Sequence, residues 1–324
     1  MILCEFTPEG EDMIRMGMDD YPLNYLWKDF IDSFSSFRVS MEKDTGGRIK
    51  PEFTDITIKQ SAFSGILPRK ASVVLKATET TEDDAVTLFS GTAFMTDFSR
   101  DGYKFVFLDD EYDALVSAST VYTSVTLNDV MGTLCGASYL NVSLNTTKAK
   151  SPSPAVEYTV PSDILAINLA SELCAFFSHA FRIINGTLYL IDIDPASASV
   201  DQVVTEFEVQ PTKYTYDMPV SMYEAGDYNI LGTYAVGDVD SVSPVFHDTE
   251  ANIVTALEVR RSIKEAVKFD TTFFFEETMP SILDVISLLD ESMETSITCV
   301  ARLTSLVYNF GTRLVSAEGF GTIT

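Results

Sequence analysis

The sequence predicts a β-rich α+β protein with two antiparallel β domains and a small α+β insert between them. Short segments rich in β-branched residues recur before residue 120 and after residue 200, joined by polar turns, as in a sandwich or barrel. Residues 120–200 instead show helical spacing and a hairpin signal. The 324 residues are 46% hydrophobic and 22% charged, so the chain can form two or three globular cores.

The first β domain is expected to consist of strands separated by polar turns, without a long helix. The polar segment Ser99–Gly102 predicts one such turn, and Ser90–Gly91 interrupts one apolar segment. β-branched and aromatic content predicts strands at Phe53–Lys59, Ala71–Lys76, Ala85–Phe89 continuing at Thr92–Phe98, and Tyr103–Leu108.

Two helices are predicted in the insert. Thr126 and Asp129 have the spacing of a capping box, and Gly136 provides a stop for this first helix. The second helix is expected to begin at Ser162 or Asp163. Apolar residues recur every three or four positions in both helices, at Leu127, Val130, Met131 and Leu134, and at Leu165, Leu169, Leu173, Phe176 and Phe177.

A β-hairpin is predicted after the second helix, because Asn185–Gly186 separates two apolar segments. With this hairpin the insert is complete, and the chain divides into four parts. They are an N-terminal segment of unknown role (1–36), the first β domain (37–119), the α+β insert (120–200) and the second β domain with one helix (201–324).

The second β domain is predicted to contain strands, one helix and a closing strand after a turn at Gly311. The helix begins near Pro280 and presents Ile282, Val285, Ile286, Leu289 and Met293 on one face. The predicted strands are Val203–Val209, Tyr228–Tyr234, Ile253–Val259, Thr271–Phe275 and Ile297–Thr304.

The net charge is strongly negative. The chain has 22 Lys and Arg against 48 Asp and Glu, which gives −26 and a sequence pI of about 4.2. Such a field repels phosphate, so tight nucleic-acid binding is not expected. An acidic surface that only maintains solubility explains the same numbers.

Cysteine usage and hydropathy point to a protein with reduced thiols and no stable membrane insertion. Cys4, Cys135, Cys174 and Cys299 form no CxxC pair, so neither a zinc site nor a redox motif is predicted. The acidic N-terminus is unlike a signal peptide, and no segment approaches the roughly 18 apolar residues of a membrane helix.

The sequence offers no catalytic, cofactor-binding or metal-binding residues, and an enzyme is not predicted. The only histidines are His179, which is expected to pack or cap at a helix end, and His247 in a loop. No nucleophile elbow, HExxH, P-loop or GxGxxG is present. The pairs Asp192/Asp194 and Asp238/Asp240 resemble fragments of calcium loops but lack the distal Gly and Glu.

Two further stretches have alternative interpretations. The acidic segment 109–113 follows a strand, and a solvated turn is preferred there over a cation or partner site. Phe273–Phe275 cannot all face inward on one strand, because neighbouring side chains alternate. Either both faces of this strand are covered by its own chain, or one Phe lies at an interface.

Three stretches share their pattern with one protein family. The N-terminal segment with the only Trp, Trp27, lies outside them. In their order the stretches resemble the phage tail hub, or baseplate hub, family of tail-tip structural proteins. They are Arg69–Leu75 with Leu88–Thr92, Asp97–Phe98 and Lys104–Asp109; Val125–Cys135 with Ser162–Phe177 and Asn185–Gly186; and Ile297–Thr304 with Gly311–Ser316.

This resemblance implies that each β domain is a tail-tube-like β-barrel. It implies a structural virion protein without catalysis, a tail-tip or baseplate hub that joins the tail tube to tip or fibre proteins. Three chains would form a homotrimer whose six barrels surround a channel, through which DNA passes without tight binding. Distal tail proteins and the tape-measure protein are further expected partners. The expected location is the tail tip of the virion, after assembly in the host cytoplasm.

Other functions remain open at this point. A distal tail or terminator protein would share the β-barrel and the acidity, but not the helix–hairpin insert. A carbohydrate-binding or carbohydrate-cleaving β-protein would need clustered aromatic residues with paired carboxylates, and a single Trp argues against it. An adhesin is disfavoured by the N-terminus, which is unlike a signal peptide.

Overall fold

The computed structural model describes residues 2–17, 27–34, 36–52, 56–63, 65, 67–77, 85–100, 102–110, 112–151, 153–195, 199–204, 210–242, 250–274, 280–290, 297–309, 312 and 314–323. The first third of the chain is a succession of strands. They are β1 (Ile2–Pro8), β2 (Ile14–Gly17), β3 (Lys28–Asp29), β4 (Ile31–Phe34), β5 (Ser36–Lys43), β6 (Gly46–Glu52), β7 (Ile56–Ile58), β8 (Lys70–Ala77), β9 (Val86–Phe98) and β10 (Tyr103–Leu108).

Eight of these strands form one sheet in the order β3-β2-β1-β8-β9-β10-β7-β4. The two end strands, β3 and β4, are consecutive in the chain and separated by Phe30 alone. β3 pairs with β2 and β4 pairs with β7, so one continuous segment borders both ends of the sheet. The sheet is therefore a nearly closed barrel.

Aromatic residues fill this first barrel. The Phe6 ring lies 4.9 Å from that of Phe105 and 5.5 Å from that of Phe63, measured between centroids. Trp27 is fully buried beside the closing segment, together with Leu3. The predicted N-terminal segment of unknown role thus contributes β1 to β4 to the barrel, because the apolar residues of β1 face its core.

The insert has the predicted order of helix, loop, helix and hairpin. A first helix is capped by Thr126, whose Oγ1 accepts from the Asp129 N–H, and the hairpin turn is Asn185–Gly186 with positive φ at both residues, as predicted. The elements are β11 (Leu115–Val116), β12 (Val121–Thr126), α1 (Leu127–Cys135), β13 (Ser143–Lys148), β14 (Ala155–Thr159), β15 (Ile164–Leu165), α2 (Ala166–Phe176), β16 (His179–Ile184) and β17 (Thr187–Asp192).

The second helix begins later than predicted. Ile164 and Leu165 pair with β11, and the Asp163 carboxylate accepts from the Ala118 N–H at 2.7 Å. These contacts hold residues 163–165 in an extended conformation, so α2 begins at Ala166. The apolar faces of α1 and α2, with the hairpin, form a core of their own.

The last third of the chain builds a second sheet. Its elements are β18 (Gln202–Val204), β19 (Gln210–Thr215), β20 (Val220–Ala225), β21 (Tyr228–Leu231), β22 (Asp238–Val242), α3 (Glu250–Lys264), β23 (Val267–Phe274), β24 (Val285–Asp290), β25 (Ile297–Asn309) and β26 (Leu314–Ile323). β24 pairs with one half of β25, and the hairpin β5–β6 extends the sheet from its other half. The order is β13-β17-β16-β6-β5-β25-β26-β23-β19, with β24 and β18 branching from β25.

The second barrel is arranged like the first. β18 pairs in parallel with β24, and β19 pairs antiparallel with β23, so strands close in sequence again border both ends of a sheet. In the first barrel β3 and β4 make the same combination of one parallel and one antiparallel pairing. The predicted fold class, two β-barrels with a small α+β insert, is thus observed.

The hairpin β5–β6 differs from the predicted division of the chain. It lies in the range assigned to the first β domain, but β5 pairs with β25 and β6 pairs with β16. Two glycines with positive φ, Gly46 and Gly47, let β6 approach α2 and β16 closely. The division into folding units stays a prediction.

Two secondary-structure predictions in the second half are wrong. Residues 253–259 were expected as a strand because of their β-branched residues, but they lie in α3, whose buried residues Ile253, Leu257 and Ile263 follow helical spacing. Residues 285–290 were expected in a helix but form β24, a strand between β18 and β25. An apolar strand covered on both sides shows the same local spacing as a helix.

The helices α1, α2 and α3 have 9, 11 and 15 residues. Within the residues that the structure describes, no helix combines the length and apolar character needed to cross a bilayer.

Candidate functional site

Two of the sequence candidates, His179 and the pair Asp192/Asp194, meet beside a cleft between the insert and the second barrel. His179 and Asp192 are directly opposite each other on β16 and β17. The cleft has a volume of about 540 Å³. Its charged lining residues are Lys148, Lys150, Asp192, Asp194, Asp201 and Arg302.

Ion pairs connect the two walls of this cleft. Lys148 Nζ lies 3.7 Å from Asp201 Oδ1 and 3.9 Å from Asp284 Oδ1, and Lys150 Nζ lies 3.5 Å from Asp194 Oδ2. Lys148 is more than half exposed, so these long contacts contribute little to stability by themselves. They do place Lys148 of the insert over two carboxylates of the second barrel, whereas Lys150 pairs with Asp194 at the end of the insert itself.

Arg302 is the buried cation of the cleft. Its side chain lies on β25 and its Nη1 donates to the Leu283 carbonyl at 3.0 Å, while its Nε has no partner among the described residues. Burial lowers the pKa of the guanidinium, and the carboxylates of Asp192, Asp201, Asp194 and Asp284 act in the opposite direction. Along the predicted strand Ile297–Thr304, alternation puts Arg302 on the polar face with Thr298 and Thr304, and nothing in that pattern indicates that this face is covered.

His179 is fully buried behind the residues that line the cleft, and its contacts are structural. Its Nδ1 lies 2.8 Å from the Phe177 carbonyl, and its Nε2 accepts from the Lys150 N–H at 3.4 Å. These partners assign the proton of the neutral ring to Nδ1. Burial of the imidazole lowers its pKa, opposed by the hydrogen bond to Phe177 and by the charge of Asp192. The predicted packing role fits this geometry.

The pH dependence of stability tests the neutral state of His179. Because its folded-state pKa lies below the unfolded value of about 6.5, the unfolded chain binds more protons as pH falls through 6.5. Stability is therefore complete above that pH and decreases below it, by at most about 1.4 kcal/mol per pH unit for one proton. We expect His179→Gln to show a smaller decrease between pH 7.5 and 5.5 in urea unfolding.

The comparison with the variant is needed because buried carboxylates respond in the opposite direction. Burial raises the pKa values of Asp109 and Asp284, which favours the folded state at low pH. These groups are common to both proteins. Equal pH slopes for the wild type and the His179→Gln variant would refute the assignment.

The acidic segment 109–113 is more than a solvated turn. Arg48 Nη2 of β6 lies 2.5 Å from Asp109 Oδ2, and the Arg48 guanidinium lies 5.7 Å from the Tyr112 ring centre. Asp110 and Asp113 are exposed. The turn interpretation holds for these two residues, whereas Asp109 joins the first barrel to the second sheet.

The remaining candidates lie apart from the cleft. Asp240 on β22 binds Arg260 of α3 at 2.6 Å, and Asp238 is exposed. Phe273 is buried whereas Phe274 is 37% exposed, which is the alternation expected of a strand. His247 and Phe275 lie outside the described residues.

The described residues contain neither a cluster of metal-ligating side chains nor an exposed thiol. Over the described ranges, no group of three or more His, Cys, Asp or Glu side chains is arranged to hold a metal ion. All four cysteines are free and buried, and burial raises the pKa of Cys135 and of Cys299 to about 11. They are therefore poor nucleophiles at neutral pH.

The chain segment that follows β19 and precedes β23 carries an exposed apolar surface that the sequence did not predict. The sheet β21-β20-β22 packs one face against α3 through Tyr223, Ala225, Ile253 and Leu257. Large apolar side chains outside this small core are solvent-exposed. They are Tyr216, Met218, Leu231, Tyr234, Val236 and Val239. In the sequence these apolar residues are interspersed with turn residues and form no periodic pattern, so the surface is recognisable only once the sheet is formed.

The fold built from the two barrels, the helix–hairpin insert and the second sheet also occurs in solved phage tail proteins. The chain matches the 43 kDa tail protein of prophage MuSo2 from Shewanella oneidensis with a TM-score of 0.59 and 11% identity, over 98% of this chain and 97% of that chain. It matches a tail protein from Neisseria meningitidis with a TM-score of 0.58 and 10% identity, over 99% and 96% of the two chains.

A third match is the prophage tail protein gp18 from Listeria monocytogenes, with a TM-score of 0.57 and 9% identity over 98% and 94% of the chains. No protein family model matches the chain, and no curated protein matches it in sequence. The likeness is therefore one of fold, and at this level the resemblance to phage tail proteins is confirmed.

Proposed function

We propose that this chain is a structural protein of a phage tail, a tail-tip or baseplate hub that joins the tail tube to tip or fibre proteins without catalysis. The observation that carries the proposal is the match to phage tail proteins over nearly the whole length of both chains. A match of that extent includes both barrels and the insert. The insert also favours a hub over a distal tail or terminator protein.

The paired barrels support a homotrimer. Each barrel has one parallel and one antiparallel strand pairing at its ends, so the two are topologically similar. Three chains with two such barrels each would present six similar units to a six-fold tail tube. Tip or fibre proteins, distal tail proteins and the tape-measure protein would bind at the other surfaces of this ring.

The charge of −26 supports a channel through which DNA passes without binding. Negative charge on a channel wall repels phosphate and so prevents retention of the DNA. A structure of the assembled ring with basic residues on the channel wall, or with no channel, would refute this part of the proposal. Location at the tail tip of the virion, after assembly in the host cytoplasm, follows from the same role.

Mass measurement in solution tests the trimer. In a buffer with enough salt to screen the net charge, we expect a species with three times the 35.8 kDa mass of the chain. A monomer that binds glycans would instead favour a carbohydrate-binding protein. Genes for tail tube and tape-measure proteins beside the coding sequence would support the hub independently.

A point mutation of Phe274 tests whether this residue lies in a contact between chains. If the exposed Phe274 ring lies in a contact between chains, Phe274→Ser will shift the population toward monomer on a sizing column and leave the far-UV circular dichroism unchanged. Asp270→Asn is the matched control, because Asp270 is exposed on the same face of β23. Unchanged assembly of the Phe274→Ser variant would contradict an interface at this position.

A further inference from the structure

We propose that the outer face of the sheet β21-β20-β22, with its adjoining loops, is a docking surface for an apolar segment flanked by basic residues in a partner protein. We name this region the outer apolar surface and define it by Tyr216, Met218, Leu231, Tyr234, Val236 and Val239. The inference does not depend on the hub or on the trimer.

Strand pairing places the centre of this surface on one face. Leu231 and Val239 are both paired with Met222 of the central strand β20, so the three side chains form one row across the sheet. Tyr223 next to Met222 is fully buried against α3. Since neighbouring residues alternate, the row points away from α3.

The loop between β21 and β22 continues the surface. The Gly232 N–H donates to the Ser221 carbonyl at 2.9 Å, and the Ser221 hydroxyl donates to the Gly237 carbonyl at 3.0 Å. The loop therefore lies along the start of β20. This position brings Tyr234 and Val236 to the end of the sheet where Met218 enters it.

The small sheet does not use these six side chains for its own core. The six side chains are between 47% exposed, for Val239, and 81% exposed, for Val236. The opposite face already provides the core with α3, and Arg260 of α3 neutralises Asp240 there. Contiguous exposed apolar side chains on a soluble protein are typical of interaction sites.

The acidic residues around the outer apolar surface indicate the kind of partner that would bind there. Asp217 and Asp238 are exposed beside the surface, and Glu224 lies on its outer face. Lys268 lies 3.6 Å from Asp217, whereas Asp238 has no ion pair with any described residue. A second copy of this chain would bring a further charge of −26, so like-charge repulsion opposes self-association. Basic residues beside an apolar segment complement the acidic rim.

A peptide-binding assay with the full chain tests the proposal. The probe is a fluorescein-labelled peptide of alternating valine and lysine, compared with the same peptide carrying glutamate in place of lysine. We expect fluorescence anisotropy to detect binding of the basic peptide only, with weakening as salt is added. The double variant Leu231→Ser/Val239→Ser should bind at least about tenfold more weakly.

Two comparison variants make the result specific. Val121→Ser removes an exposed valine of the insert and should leave the affinity unchanged, whereas Met218→Ser/Val236→Ser should weaken it as the first double variant does. Equal binding by wild type and both double variants, binding of the acidic peptide, or no binding of the basic peptide would overturn the proposal. Self-association lost in the double variants would identify a second copy as the occupant and overturn it as well.

Discussion

Replacing Gly46 with alanine is expected to destabilise the protein by about 3 kcal/mol or more. Gly46 has a φ of +128°, and a Cβ atom there would lie 2.2 Å from the His179 carbonyl oxygen and 3.2 Å from the Ala175 Cα. Both neighbours are backbone atoms, so neither can move aside by a change of rotamer. The alanine would force β6 away from β16 and α2.

Urea unfolding gives the measurement, and Gly10→Ala is the matched control. Gly10 also has a positive φ, of +81°, but its Cβ position has no atom within 4 Å. The control gives the cost of a positive φ without a steric conflict, about 1–2 kcal/mol, whereas the larger φ of Gly46 and its close backbone neighbours both add to the loss in Gly46→Ala. Similar unfolding midpoints for the two variants would show that β6 does not approach β16 as closely as the structure indicates.

Replacing Arg302 with methionine is expected to destabilise the protein by about 2–3 kcal/mol at pH 7.5, because the carboxylates around the cleft lose one of the cations that act on them. Asp284 is 15% exposed and Asp192 is buried, and both act on Arg302 electrostatically. The Leu283 carbonyl also loses the donor at 3.0 Å. Methionine has a similar length, so loss of packing is a minor part of the effect.

The pH dependence distinguishes loss of charge from loss of volume. Burial already raises the pKa of Asp284, and removal of a cation raises it further. A group with a raised folded-state pKa stabilises the fold at low pH and loses that contribution as pH rises. The deficit of Arg302→Met should therefore be larger at pH 7.5 than at pH 5.

Arg302→Lys provides the control, since it keeps the positive charge but not the guanidinium geometry. We expect its deficit to be smaller than that of Arg302→Met, with little pH dependence. If both variants lose the same stability at both pH values, the carboxylates of the cleft do not depend on Arg302 for neutralisation.

Local signals predicted the insert well. The capping box at Thr126, the helical spacing of Leu169 and Leu173, and Asn185–Gly186 each report on contacts within a few residues. Such contacts form in the same way whatever surrounds them. For this reason the helix–hairpin pattern was correct in order and nearly correct in its bounds.

Local signals failed where a neighbour in space decides the conformation. The segment around Ile253 has β-branched residues, yet three separate clusters receive the buried face of α3, and this packing outweighs propensity. The reverse holds for Val285–Asp290, which becomes a strand because β25 offers it an edge. No pattern within either segment contains that information.

The candidate sites also divide into features that the sequence predicted and features that depend on neighbours in space. Composition showed the acidity, and alternation predicted that Phe273 and Phe274 face opposite sides, as they do. The cleft around Arg302 and the outer apolar surface join residues far apart in the chain, from Lys148 to Arg302 and from Tyr216 to Val239. Their existence depends on strand register, which a single sequence does not encode locally.

The sequence by itself determined the β-rich class, the order of the insert and the charge, because these depend on composition and on short-range contacts. The tertiary structure decided how the barrels close and which strands join the two sheets. The segment Lys28–Phe34 closes the first barrel, and the hairpin β5–β6 connects the second sheet to the insert. Both depend on hydrogen bonds between strands distant in sequence, whose formation is favoured only once the surrounding core is in place.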